Sequence, residues 1–237
     1  MNIKMTKVAL ALALTMGATA AHAVAVNTGD TLTINAAAFD ANGYVLATGG
    51  SYFGMDTNGN GVINANERVG LSQGTNGIVI GATTTAGAFH PGSPLAGDTG
   101  AVVDSWSFLG TTGTNFNTVG ITGSTEAGLN FSGWNVAWNA VSAIYMGTGA
   151  WGTAGFVSGV AKFSWDGVYD STYTLDYRAT VPAGDPSGFQ NVLYALHLEG
   201  TIPSASAAPV PEASTYGMML AGLGLVGFAV RRRKSNI

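Results

Sequence analysis

The residues best spaced for chemistry run from Asp56 to Glu67, in the stretch DTNGNGVINANE. Set against a twelve-residue calcium loop, Asp56 falls at the first position, Asn58 at the third, Asn60 at the fifth and Gly61 at the sharp sixth. Val62 supplies a backbone carbonyl, Asn64 stands where water often mediates, and Glu67 closes the set as a bidentate ligand. A hard cation needs oxygens converging at about 2.3–2.6 Å, and glycine turns the chain there at least expense. Only two of these ligands are carboxylates, so the expected occupant is one weakly held structural Ca2+. The competing reading is an Asn/Gly-rich turn that has the same spacing and no metal.

On these residues the loop resembles an EF-hand or dockerin-type loop. Its surroundings depart from both. The preceding LATGGSYFG carries no helical period, NANERVGLSQ allows only a helical stub, and the loop is not repeated as a dockerin's is. The resemblance therefore implies a structural clip, not a cohesin-binding module or a conformational sensor.

Other chemistry is sparse. There is no cysteine, hence no thiol catalysis and no disulfide, and no HExxH or lysine-bearing phosphate loop occurs. Paired carboxylates for glycoside hydrolysis could come from Asp104, Glu126, Asp166, Asp170, Asp176 and Glu199. His90 is expected in a surface loop, and His197, beside Glu199, on the solvated face of a strand. Trp134, Trp138, Trp151 and Trp165 offer a sugar-stacking platform, although the alternation around the first two favours burial.

The elements that must position these groups are strands. Thr31–Ile34 alternates, YVLAT and SYFGM read as short strands, and GIVIG and VVDSWSFLG as two more, while NFNTVGITGS reads as a loop. LNFSGWNVAWNAVSAIYMG puts Trp134, Val136 and Trp138 on one face, with Asn135, Ala137 and Asn139 on the other. GVAKFSWDGVYD sets Ala161, Phe163 and Trp165 inward before an Asp166–Gly167 turn. STYTLDYRATV alternates most clearly, with Tyr173, Leu175, Tyr177, Ala179 and Val181 inward, and QNVLYALHLEG follows with Val192, Tyr194, Leu196 and Leu198. No helical pattern separates them. The fold class expected is all-β, an antiparallel β-sandwich of jelly-roll or Greek-key order, plus an N-terminal signal helix and a C-terminal transmembrane helix.

Both ends read as routing signals. Lys4 and Lys7 precede the apolar VALALALTMGATA and the small-x-small site Ala21-His22-Ala23, so residues 1–23 are expected to be a signal peptide for the Sec machinery and signal peptidase. At the other end VPEASTYGMMLAGLGLVGFAVRRRK has an uncharged run from Thr215 to Val230, then Arg231, Arg232, Arg233 and Lys234. Between them lie a domain at 24–202, a flexible linker at 203–211 and a tail at 212–237. With both signals set aside, only Arg68, Lys162 and Arg178 remain against twelve acids in residues 24–208, a net charge near −9. Such a surface repels nucleic acid.

This tail resembles the PEP-CTERM sorting signal of Gram-negative bacteria, carried by Val210, Pro211 and Glu212, the Gly-rich apolar run and the basic end. Ala213 stands where that motif has its second proline. The resemblance implies processing by an exosortase, a membrane-anchored inner-membrane precursor, and delivery to the cell surface or a biofilm matrix. The function expected is a non-catalytic, exported surface or matrix protein associated with exopolysaccharide. The alternative is a carbohydrate-active enzyme, or a carbohydrate-binding module, on the same sandwich.

Overall fold

A computed structural model describes residues 23–71, 74–83, 89–90, 93–94, 106–147 and 156–204. The strands in chain order are β1 (Thr31–Ile34), β2 (Tyr52–Met55), β3 (Arg68–Gly70), β4 (Gly74–Val79), β5 (Phe89–His90), β6 (Ser93–Pro94), β7 (Trp106–Phe108) and β8 (Thr111–Asn117). They continue with β9 (Gly123–Ser124), β10 (Gly128–Asn130), β11 (Trp134–Trp138), β12 (Val141–Tyr145), β13 (Val160–Ser164), β14 (Thr172–Thr180) and β15 (Leu193–Thr201). A seven-stranded sheet runs β3-β2-β15-β14-β13-β10-β9, and a four-stranded sheet runs β12-β11-β8-β7. Every pairing among the described residues is antiparallel. The architecture is that of a β-sandwich.

The period-two pattern explains the larger sheet. On β14 the odd-numbered residues Tyr173, Leu175, Tyr177 and Ala179 are buried, and they pair with Gly200, Leu198, Leu196 and Tyr194 of β15. Phe53 and Met55 of β2 extend the same inner face. Trp134 of the smaller sheet, 0% exposed, fills the space between the layers. Its ring centroid lies 5.6 Å from Tyr177, 5.8 Å from Tyr194, 5.9 Å from Phe131 and 6.4 Å from both Phe53 and Trp106. Its indole N–H donates to Asn115 Oδ1 at 3.1 Å, so the one polar atom of the ring is satisfied inside the core. The β1–β4 ribbon closes one end of the layers, where Gly200 has no side chain to collide with the Thr33 carbonyl.

Several expectations are corrected. Among the described residues the helical content is a single 3-10 turn, Ala65–Glu67, and no helix is long and apolar enough to cross a membrane. The expected signal helix, transmembrane helix, membrane contact and anchored inner-membrane precursor therefore have no helix to rest on, and both terminal stretches lie outside the described residues. Locally, YVLAT contributes one isolated bridge at Val45 and no strand. The stretch read as a loop contains the last three residues of β8 and all of β9. The long segment around Trp134 is split into β10, β11 and β12. Asn139 (φ 47°) and Ala140 (φ 66°) form the two-residue link between Trp138 and Val141, as the hairpin twist demands of left-handed turn residues.

Candidate functional site

The Asp56–Glu67 segment leaves β2, makes a tight loop and returns as the 3-10 turn into β3. Asp56 and Glu67 do meet in one loop, but their oxygens face backbone amides. Asp56 Oδ1 accepts from the Gly59 and Asn60 N–H groups at 2.7 and 3.2 Å, and Oδ2 from Gly61 N–H at 2.8 Å. Glu67 Oε1 accepts from the Thr57 N–H and hydroxyl, both at 2.8 Å, and from Asn58 N–H at 3.2 Å. Its Oε2 accepts from the Asn64 N–H and side-chain amide at 3.0 and 2.9 Å. Asn58 and Asn60 are likewise spent inside the loop, Oδ1 of Asn58 on Asn60 N–H and Oδ1 of Asn60 on Val62 N–H.

The calcium reading is therefore corrected. No helix flanks the loop, and among the described residues no three His, Asp or Glu side chains gather where a metal ion could sit. Asp56, Asn58, Asn60, Val62, Asn64 and Glu67 form an anion-centred turn, its carboxylates standing where an ion's ligands would otherwise converge. Glu67 is 2% exposed. Burial opposes its charge, but the hydrogen bonds from Asn64 and Thr57 outweigh burial and bring its pKa down to about 2. The EF-hand resemblance holds for spacing alone.

What this loop does is build a wall. Gly54 on β2 lies beneath it, and a methyl group there would come within 2.5 Å of Ile63 Cγ2. The absent side chain lets Ile63 settle onto the outer face of the larger sheet. Along that face one cross-strand row reads Arg68, Gly54, Ala195, Arg178. Two small residues between two arginines leave a trough, and the loop borders it. The resulting groove of about 380 Å³ is lined by Tyr52, Val62, Ile63, Arg68, Arg178 and Ala195 among others. Arg68 donates to the carbonyls of Val45 at 3.1 Å and Ile63 at 3.5 Å, while its Nε is buried and has no hydrogen-bond partner. Its guanidinium lies 5.2 Å over the Tyr52 ring.

The adjacent row reads Tyr52, His197, Asp176, Lys162. His197 is 6% exposed and stacks on Tyr52 at 5.3 Å, so the expectation of a solvated strand histidine is corrected. Loop and side chains cover the outer face of β15, which leaves this strand buried on both sides. His197 Nδ1 meets Asp176 Oδ1 at 2.8 Å and Nε2 meets Glu199 Oε1 at 3.1 Å. Burial alone would lower its pKa, yet the two carboxylates raise it above the ordinary value. Tyr52's hydroxyl pKa is raised, by burial first, against the opposing pull of Arg68 and Arg178, so the phenol keeps its proton.

The remaining candidates scatter. Asp166 accepts from Ser171 and Val168, Asp170 from Ser204, and Glu126 lines a separate hollow near Lys162. Trp165 is buried against Tyr169, and Trp138 is half-buried against Phe189 with its N–H on the Thr111 carbonyl, so these tryptophans form no shared platform with Trp134. Asp104 and Trp151 lie outside the described residues, as does the side chain of His90. The groove arginines were not singled out from the sequence. The available signal was their scarcity, since a domain with three cations has few places to put them.

Residues 209–234 match the PEP-CTERM protein-sorting motif. The matched segment takes in Val210, Pro211, Glu212 and Arg231 to Lys234. It covers the end of the chain and none of the sandwich. No curated protein and no solved structure matches the chain. The chain thus carries a sorting motif of known type behind a β-sandwich that the comparisons leave without a relative.

Proposed function

We propose that the protein is a non-catalytic, exported surface or matrix protein, routed by exosortase processing and retained among exopolysaccharides. The observation that carries the reading is the sorting-motif match at residues 209–234. Support for a non-catalytic role comes from the acids of the larger sheet. Asp176 and Glu199 are both spent on one buried imidazole, where a hydrolase needs its carboxylates free to face a sugar. The low charge and net acidity of residues 24–208 suit a protein kept in a hydrated matrix and not on nucleic acid.

The test is deletion of the gene in its own host, with complementation by the intact chain and by a chain lacking residues 209–234. Loss of matrix cohesion on deletion, restored only by the intact chain, is the expected result. An unchanged matrix, together with turnover of a polysaccharide by the purified protein, would replace this reading with the carbohydrate-active enzyme.

A further inference from the structure

We infer that the groove beside the Asp56–Glu67 loop binds the carboxylate of an acidic sugar within an otherwise neutral polysaccharide. The identification of the polymer as a polysaccharide rests on the proposed matrix role. The preference for an anion stands on the groove itself.

Three observations converge. First, residues 24–208 contain only three cations, and the sheet register places all of them, Arg68, Arg178 and Lys162, on one face. The groove's own row holds two of them, Arg68 and Arg178, while the acids of that face, Asp176 and Glu199, lie outside the groove's lining and are engaged by His197, so the groove is locally positive on a negative body. Second, Arg68 has no acidic partner among the described residues. Its guanidinium is positioned by two neutral carbonyls and by the Tyr52 ring, and each terminal nitrogen spends one N–H on a carbonyl and keeps the other. A guanidinium held this way is set for a carboxylate, which it recognises in a planar, two-pronged geometry. Third, Tyr52 borders the same groove and is a proton-bearing donor suited to sugar oxygens.

The size and charge narrow the occupant. A groove of about 380 Å³ is at the small end of ligand sites and suits one or two sugar units. Arg68 and Arg178 are three strand positions apart, roughly 14 Å between backbones at the usual strand spacing. That span fits a short length of chain crossing the trough. The acidic body around it repels polymers charged at every unit, so nucleic acids and dense polyuronates are disfavoured. A chain with occasional uronic acids offers one carboxylate to the arginines and hydroxyls elsewhere.

Titration calorimetry on the full-length protein tests this, with gellan fragments as the sparse glucuronate polymer. The comparison ligands are carboxyl-reduced gellan, free glucuronate, polygalacturonate and neutral dextran. Binding to gellan fragments is expected to weaken at least about tenfold on carboxyl reduction or on Arg178→Gln, as loss of one charge-assisted contact implies. Because Arg68 also holds the loop, Val62→Glu is the cleaner probe there. Val62 is 57% exposed at the groove's border, and the added charge should abolish binding with an unchanged melting curve.

Equal affinity for intact and carboxyl-reduced gellan, or for Val62→Glu and the native chain, overturns the proposal. Tightest binding to polygalacturonate overturns the sparse-polymer assignment, and glucuronate binding as tightly as the fragments overturns the polymer itself. The two readings fail separately. A Val62→Glu chain that still restores matrix cohesion removes the groove and leaves the matrix role. Groove-dependent binding by a protein whose deletion leaves cohesion unchanged removes the matrix role and leaves the groove.

Discussion

Glu67 and His197 are both buried, both titratable and both border the outer side of the same sheet, yet their surroundings drive them in opposite directions. Glu67 sits among N–H and hydroxyl donors, which hold its negative charge. His197 sits between two carboxylates, which hold a positive one. The difference teaches that burial does not decide ionisation here. The sign of the neighbouring dipoles and charges does, and each group thereby stiffens a different part of the groove's support.

The comparison is broken most severely by removing Glu67. Glu67→Ala leaves the Thr57, Asn58 and Asn64 amides without their acceptor, and we expect a loss on the order of 3 kcal/mol in chemical denaturation. The same loss should appear in calcium and in EDTA, because the carboxylate's partners are amides of its own chain. A large calcium-dependent rise in the native melting temperature would contradict the anion-centred description.

Acid sharpens the contrast. Glu67 has its folded pKa lowered to about 2, so its contribution is complete above the ordinary carboxylate range and is lost as pH falls through that folded value. The stability gap between the native chain and Glu67→Gln should therefore narrow between about pH 4.5 and pH 2. A gap that stays constant over this range means that the loop does not depend on the charge.

His197 should behave in the reverse sense. Its folded pKa is raised, so its contribution is full below about pH 6.5 and fades as pH rises through the folded value. His197→Gln should flatten this alkaline limb at an expense of about 1 kcal/mol in mildly acidic buffer. Identical pH profiles for the variant and the native protein would show that the imidazole is not charged in the fold.

The parts legible in the sequence were those where one period governs. β14 alternates because one face meets the core and the other the outer surface, and its inward residues were read correctly from Tyr173 to Val181. The tail was legible because charge and apolarity there follow one another without tertiary context. β15 was half legible. Its inward face was clear, but His197 is covered by Tyr52 and flanked by acids from two strands, a closure that no single-strand pattern contains. The Asn139–Ala140 turn was hidden because Ala carries no turn signal, even where its backbone takes a left-handed form. Spacing found the ends of the Asp56–Glu67 loop and could not say which way their oxygens point. An ion and a ring of amides ask for the same acceptors. Arg68 went unweighed because its role depends on Gly54 and Ala195, two residues remarkable in sequence for nothing but being small.

The segment from Asp166 to Ser171 has a mechanical meaning. Tyr169 hydrogen-bonds Asn27 and Asp30 near the first described residues, while Asp170 takes both the N–H and the hydroxyl of Ser204 at the last. One short turn thus buckles the incoming and outgoing chain together at a single pole. Residue 209, where the sorting match begins, can stand no more than about 18 Å from Ser204 along a fully stretched chain. A pull on the sorting segment is then borne at the Asp170–Ser204 clasp and passed into β14 and β15, the longest paired strands described. Thr172 stands opposite Thr201 at that end of the pair, so the clasp is what keeps β14 and β15 from being opened from there.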